Sequence, residues 1–482
     1  MSEPPEQPGS ERQSDGAALT PDDWEAFRNG AHQLLDRCIN QMRDSEDHPW
    51  QAPPSDIAKR YAIGPDRDLL SSLTDDVLPF HGGNTHPKFW GWVQGSGLAS
   101  DLLAGMVTAT LNANLGGRHH GANEMERAVV DWTRQQMGFG PQASGVLVTG
   151  SSQATVIALH AARVHCQPDT RSAGSAQGLT VYAGEGVHNA TLKAVELLGL
   201  GRSALRLVPQ HEGAIDTGVL RQTIAQDTAL GLRPMAIVAT AGSVDTGSFD
   251  DLSALADTAR DTGVWLHVDG AFGAWTRLAA DPWHALTNGI ERADSIALDF
   301  HKWMYVGYDC AMALLADKGA HRAAFATRPA YLKGAEGGLA AGEPWFCDYG
   351  TDLSRGNRAL RVWCALQMFG RDAFCTAITR NCAQAKLMAD LVEARGMELM
   401  APVVSNVCVF NAAPHLPADE QSALNSKIAT ALQIEQQTVF STTTLAGVTC
   451  LRAAITNHRT DDHHIREAIN AVQAIAQAVP SP

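Results

Sequence analysis

From Gly145 onward the chain alternates short apolar runs with longer amphipathic stretches. The runs at residues 146–148, 180–183, 205–208, 236–240, 264–269, 295–299 and 311–315 are each too short for a helix and read as strands. Strands separated by helical stretches predict a mainly parallel seven-stranded sheet wrapped by helices, with ligands at the strands' carboxyl ends. Beyond about Phe369 the rhythm changes. Helices predicted over 373–393 and 463–478 flank short strands near 403–411 and 449–456, a small α+β unit. No low-complexity linker sets it apart, so it should pack on the sheet domain.

Upstream, Thr20-Pro21-Asp22-Asp23 predicts a helix start, with a hydroxyl cap, proline at the first helical position and acids in the first turn. Trp24, Phe27, Ala31, Leu34, Leu35, Cys38 and Met42 then form one apolar stripe, which must dock somewhere. In the segment HPKFWGW, Phe89, Trp90 and Trp92 suit either core packing or a pocket wall. A helix is predicted over 98–111. Residues 112–122 then break it with three glycines and carry Arg118, His119 and His120, a plausible pocket edge. The resulting division is a disordered 1–19, a helical arm over 20–97, a large domain over 98–368 and a small domain over 369–482.

Composition narrows the function classes. The chain has 482 residues, 45% hydrophobic and 18% charged, enough for two or three soluble domains. Its net charge of -15 argues against nucleic acid or an anionic membrane as main partner. Nine cysteines show no C-x-x-C pair, which fits reduced thiols in a cytoplasmic protein. Residues 1–19, rich in Ser, Glu, Gln and Pro, form neither a signal peptide nor a membrane anchor, and there is no transmembrane run or internal repeat. His463 and His464 follow Asp461 and Asp462 at a helix start; a solvated cap explains them and no metal is assigned.

Candidate chemistry concentrates at two strand ends. Of eight lysines, Lys302 alone directly follows such a strand and precedes the bulky apolar Trp303, Met304 and Tyr305. Desolvation disfavours an ammonium, which would make this amine nucleophilic near neutral pH; the bland alternative is a snorkelling lysine with a wet charge. A second strand ends in Asp269, followed by Gly270, Ala271, Phe272 and Gly273. A pyridoxal phosphate (PLP) site needs this pair: an amine to join the cofactor's aldehyde and a carboxylate to keep the ring nitrogen protonated. Thr149-Gly150-Ser151-Ser152 sits between a strand and a helix, where a phosphate binds the helix N-terminus, though the same pattern is a common cap. His188 also begins a helix after a strand, and Ser243 ends another; their bland readings are a capping ring and a turn hydroxyl.

At this point the chain resembles the group II PLP-dependent amino-acid decarboxylases, the family of the aromatic-L-amino-acid, histidine and glutamate enzymes. The motifs are HVDGAF (267–272), DFHKW (299–303), VGYDC (306–310), AYLKG (330–334) and DLSRGNRALRVW (352–363), in an order and spacing that span residues 24 to 474. The resemblance implies the fold type I architecture and pyridoxal 5'-phosphate as cofactor, held by Lys302 with Asp269 at the ring nitrogen. It gives Ser151, Ser152 and His301 to the phosphate, His188 and Ala271 to opposite ring faces, and Ser243 to the cofactor's vicinity. Tyr331, on a glycine-rich stretch suited to a closing lid, becomes the acid that protonates carbon after carbon dioxide leaves. Relatives with phenylalanine there oxidise their substrates instead. Asp299 departs from the asparagine of the animal aromatic enzymes; a carboxylate beside phosphate is repulsive, so it should point elsewhere or bond a backbone amide. The arm and the segment bearing Leu353 and Ser354 imply a homodimer, with Ser354 reaching the neighbour's phosphate.

For the substrate, Trp92, Leu115, Arg118, His119, His120 and Trp345 are the candidates. Aromatic walls favour a flat side chain, whereas Arg118 and the paired histidines would suit an acidic one. The expectation is decarboxylation of a bulky or aromatic L-amino acid. The alternatives are an acidic substrate, aldehyde-forming oxidation, and, ranked last, a non-catalytic binding protein on the same fold.

Overall fold

The computed structural model describes residues 19–64, 68–174, 177–327 and 335–478. Tyr331 and the N-terminal segment expected to be disordered, apart from Leu19, lie outside these residues. Contacts divide the chain into two compact units, one within residues 1–48 and 52–81, the other within 49–51 and 82–482.

In the first unit, helix α1 (Trp24–Arg43) begins later than its sequence signals. Asp23, not Thr20, is the cap, its carboxylate accepting from the N–H groups of Glu25 and Ala26 at 2.9 and 3.0 Å. Within this unit Trp24 and Phe27 of the apolar stripe stay exposed.

The second unit is built on a seven-stranded sheet: β1 (Ser144–Val148), β2 (Leu179–Gly184), β3 (Leu205–Val208), β4 (Arg233–Thr240), β5 (Trp265–Asp269), β6 (Ser295–Asp299) and β7 (Ala311–Leu315). Its spatial order is β1-β7-β6-β5-β4-β2-β3. From β6 across to β3 every neighbour is parallel, whereas β7 runs antiparallel to both β6 and β1. The reversal has a simple cause: residues 300–310, which join β6 to β7, contain no crossover helix. Strands β1, β2, β5, β6 and β7 are buried along their whole length, which is why they read as continuous apolar runs without alternation.

Helices α2 (Ala99–Leu111), α3 (Gly121–Gln136), α4 (Ser151–Cys166), α5 (Asn189–Leu197), α6 (Thr217–Ala229), α7 (Leu252–Thr262) and α8 (Lys318–Phe325) surround the sheet. Next, α9 (Ala359–Ala394) is longer than the predicted helix and breaks at Gly370, whose φ is 71°. The predicted segment is its second half. A four-stranded antiparallel sheet follows, β8 (Glu398–Leu399), β9 (Val407–Asn411), β10 (Ser441–Leu445) and β11 (Val448–Ala454), in the order β8-β9-β11-β10. With α10 (Ala418–Ile434) and α11 (Asp462–Gln477) it encloses a core of its own around Phe410, Phe440, Ile428 and Ile469. Trp90 belongs to this core, and its backbone bonds to Val439 and Ala454 place residues 82–97 in the second unit, where the sequence reading gave them to the arm. His464 accepts the Asp461 N–H at 2.9 Å, so this ring caps α11 and is itself buried.

One buried ion pair ties the architecture together. Arg355 donates to both carboxylate oxygens of Glu126 on α3 and to the carbonyls of Leu115 and Leu147, while Glu126 also accepts the Leu147 N–H at 3.1 Å. Loop, helix and β1 thus share one charge network with almost no solvent contact. Glu126→Ala leaves a buried guanidinium unpaired and is expected to cost about 3–5 kcal/mol in urea unfolding; a loss below about 1 kcal/mol would show that the network is not fixed.

Candidate active site

β5 and β6 are parallel neighbours, with Asp269 opposite Ala297, so Asp269 and Asp299 emerge at the same sheet edge. Beyond Asp299 the chain turns back, held by the N–H groups of Phe300 and His301 on the Cys310 carbonyl. This turn brings Lys302 Nζ to 2.7 Å from Asp299 Oδ2. Trp303, Met304 and Tyr305 point into the core, and both Trp303 Nε1 and the Tyr305 hydroxyl donate to Asn381. The amine therefore sits in an ion pair at the cavity wall, not in the apolar setting that its sequence neighbours suggested.

Lys302 borders a cavity of about 230 Å³ with Trp92, His188, Thr240, Asp269 and Ala271. Asp269 is buried, and desolvation pushes its carboxyl above the usual range; Lys302 and then His188 pull it down, and Asp299 adds like-charge repulsion. Its Oδ1 accepts the Ala271 N–H at 3.2 Å. His188 is the cap of α5: its Nδ1 accepts the Ala190 N–H at 3.2 Å, which leaves Nε2 as the protonated nitrogen. Capping and cavity lining are thus one arrangement. Trp92, with φ at 54°, is more than half exposed, unlike the buried Phe89 and Trp90.

The start of α4 forms an anion cradle. Ser151 donates its N–H to Asp299 Oδ1 at 2.6 Å and its hydroxyl to Oδ2 at 2.9 Å. Asp299 does bond a backbone amide, but that amide belongs to the cradle itself. His301 accepts the Cys310 N–H on Nδ1 at 3.0 Å, so Nε2 carries the proton, 3.9 Å from Asp299 Oδ2; burial lowers its pKa and keeps the ring neutral. Asp101 pins the following segment by accepting the Gly307 N–H at 2.8 Å, and Tyr308 places its ring 4.3 Å from that of His301. Ser152, at the second position of α4, is exposed.

Other expected residues lie apart. The Ser243 hydroxyl is engaged inside its own turn with Thr246 and Ser248, while its neighbours Gly242 and Val244 line the cavity. Ser354 meets Asn114 at 3.5 Å. Arg118 lies 4.8 Å over the Trp345 ring, His119 donates its N–H to the Leu339 carbonyl, and His120 contacts the Asn114 carbonyl at 3.2 Å. Leu115 is buried near this cluster, where its carbonyl accepts from Arg355. None of these residues borders the cavity that holds Lys302. Sequence reasoning missed Thr240 and Val244, which line the cavity at the end of β4; the signal was available, because that strand too ends at the ligand edge.

A lysine after one strand, a buried carboxylate on the next and an anion cradle at a helix start, on this sheet order, define a fold type I PLP-dependent enzyme. The pyridoxal-dependent decarboxylase conserved domain matches residues 56–412, and the chain belongs to that family. It is 29% identical to an aromatic-L-amino-acid decarboxylase of Bacillus atrophaeus, over 94% of this chain and 96% of that one. It is 27% identical to a phenylacetaldehyde synthase of Arabidopsis thaliana, over 95% and 97%. In fold it resembles Oryza sativa TDC crystallised with PLP and tryptamine (TM-score 0.86, 23% identity, 96% of this chain and 99% of that one). It also resembles mouse CSAD in its apo form (0.87, 20%, 95% and 100%). The cofactor is pyridoxal 5'-phosphate and the reaction is decarboxylation of an amino acid. The residues present fit the cofactor: an amine at the cavity wall, paired with Asp299, a buried acid for the ring nitrogen, the small Ala271 on the wall and the Ser151 N–H and hydroxyl at the start of α4.

Asp250 supports this wall by accepting the Thr240 and Ile215 N–H groups at 2.7 Å, and burial pushes its carboxyl up to about 6. An acid with a raised folded-state pKa retains its proton where the unfolded chain has lost it. Its contribution to stability is therefore full below about pH 4, falls as pH rises, and levels off above about pH 6, a change of about 3 kcal/mol. Urea unfolding across this window should show that slope, reduced in Asp250→Asn; identical slopes in both proteins would contradict the assignment.

Proposed function

We propose that this chain decarboxylates a bulky or aromatic L-amino acid to its amine and carbon dioxide, acting as a cytoplasmic homodimer. The observation that carries the substrate reading is the cavity wall: Trp92, Val93, Val244 and Phe272 give it apolar faces against which a flat side chain can stack. The similarity to enzymes named for aromatic amino acids, tryptophan and tyrosine supports the same reading.

When bound, PLP supplies an electron-poor ring that accepts the electrons of the breaking carbon–carboxylate bond. Lys302 would provide the amine that anchors it. Asp269 keeps a proton at the ring nitrogen. His188, its Nδ1 engaged in capping, and Ala271 both line the cavity and would stand at opposite faces of the ring. Ser151, Ser152 and His301 would hold the phosphate, with Ser243 shaping the neighbouring turn. Tyr331 supplies the proton that replaces carbon dioxide.

Two further features bear on the assembly. Leu103, Met106, Val107 and Leu111 on α2, and Trp363, Met368 and Phe369 on α9, are exposed apolar residues on helices that pack together. A partner copy would cover them. In a homodimer, Ser354 and the cluster of Arg118, His119, His120 and Trp345 would serve the neighbouring site, which accounts for their distance from Lys302 in their own chain. The nine free cysteines suit a reducing cytoplasm, and no helix among the described residues is long and apolar enough to cross a membrane.

Aldehyde-forming oxidation is the second reading, favoured by the similarity to a phenylacetaldehyde synthase; Tyr331 speaks against it. An acidic substrate is disfavoured because Arg118 is already stacked on Trp345.

Carbon dioxide release measured for all twenty amino acids should be highest for phenylalanine, tyrosine or tryptophan. Arg118→Ala should change that aromatic rate by less than about tenfold; an acidic preference abolished by Arg118→Ala would overturn the aromatic reading. Tyr331→Phe should divert turnover towards aldehyde with oxygen uptake and hydrogen peroxide, and an unchanged amine product would remove this tyrosine as the proton donor.

A further inference from the structure

We propose that Arg452 is a positioning residue for substrate binding: from the small sheet its guanidinium fixes two walls of the Lys302 cavity, Trp92 and the turn bearing Val244, and so sets the space open to a substrate side chain. The inference deepens the substrate reading above and rests on it. Along β11 the side chains alternate between two cores. Leu451 and Ala453 face the core of the small sheet, whereas Cys450 and Ala454 pack into the core of the large one. Arg452 lies between Cys450 and Ala454 on that second face, a cation where the pattern calls for an apolar residue, and it is 3% exposed. Burial lowers its pKa to about 10, with Asp245 pulling it back. A cation held there, with Nη2 left without a hydrogen-bond partner among the described residues, needs a reason beyond packing.

The reason lies in what the guanidinium holds. Nη1 donates to the Trp92 carbonyl at 2.9 Å and to the Ser441 hydroxyl at 3.1 Å, and Nε donates to the Asp245 carbonyl at 3.2 Å. Both carbonyls belong to cavity walls: Trp92 lines the cavity itself, and Asp245 directly follows Val244, which does. Trp92 has its left-handed φ of 54°, a conformation that persists for an L residue only when its surroundings hold it. The small sheet grips the same turn twice more. Thr443 on β10 donates its hydroxyl to Asp245 Oδ1 at 2.7 Å, and a Cβ on Gly247 would come within 2.8 Å of Val407 on β9. Asp269, Ala271 and Lys302, by contrast, follow from the ends of β5 and β6 in the large sheet. One planar guanidinium thus spans two segments far apart in sequence, and a lysine ammonium in its place has no such fork.

The test uses cofactor-loaded protein with L-phenylalanine, L-tyrosine and L-tryptophan. Arg452→Lys keeps the charge and breaks the fork; Thr443→Val, at a half-buried position, loosens the same turn with less risk to folding. Arg452→Lys should raise KM for the best of these substrates about tenfold and Thr443→Val about threefold, with kcat changed less than about threefold and the cofactor's absorbance unchanged. Phenethylamine, a product-like inhibitor, should weaken by the same factors, whereas methylamine, which has no side chain to meet these walls, should inhibit all three proteins equally. A purely structural role for Arg452 removes part of the folded protein, so it lowers kcat per mole of chain and leaves KM and both inhibition constants alone; that result overturns the inference. So does an equal weakening of methylamine, which would put the fault at the cofactor. If Arg452→Lys does not fold, Thr443→Val decides by the same readings. Turnover of an aromatic amino acid with unmoved constants in the variants overturns the inference alone, whereas no turnover of any of the three by the unaltered protein overturns the substrate reading and the inference with it.

Discussion

The site depends on an electrostatic constraint: two carboxylates buried at the ends of adjacent parallel strands share one lysine. Burial raises the cost of ionising Asp269, and the like charge of Asp299 adds to it. Lys302 counters this by attraction on Asp269 while holding a direct ion pair with Asp299. Once these three groups are placed, much else follows. The turn after β6 must fold back to return the amine, β7 must run antiparallel, and the amides of α4 must face the same edge.

The rest of the second unit holds that edge in position. Asp250 ties the end of β4 to a neighbouring loop, Asp101 fixes the segment carrying Tyr308, and Arg355 with Glu126 locks α3 and β1 to the loop preceding α9. All are charged groups bonded to backbone N–H or carbonyl groups, so each carboxylate or guanidinium sets main-chain geometry rather than catalysing anything itself. The DLSRGNRALRVW motif is partly explained this way, because its first arginine is a buried structural cation.

Five of the seven strands of the large sheet were legible because strands buried on both faces become unbroken apolar runs; β4 showed through its buried middle and β3, mostly not buried, through its place in the alternation, and the order along the chain predicted the parallel architecture. β10 was not legible: Ser441–Leu445 is STTTL, an edge strand whose residues alternate in exposure and include no apolar run. The first half of α9 was hidden by Gly370, which divides its pattern. At the site, Lys302 and Asp269 were legible from their positions after strands. The capture of Ser151 by Asp299 was not, because the two lie far apart in sequence and meet only through the sheet. The pairing of Arg118 with Trp345 was likewise not legible, since the two lie far apart in sequence and the fold alone stacks them.

The central claim is that Lys302 is the residue that carries the cofactor. Borohydride reduction of the cofactor-loaded protein, followed by proteolysis and mass spectrometry, reads this directly, because reduction fixes the cofactor to whichever amine holds it. The account predicts the added mass on the peptide containing Lys302 and on no other lysine peptide. Labelling of a different lysine, or no labelled peptide from a protein shown to contain the cofactor, would contradict it.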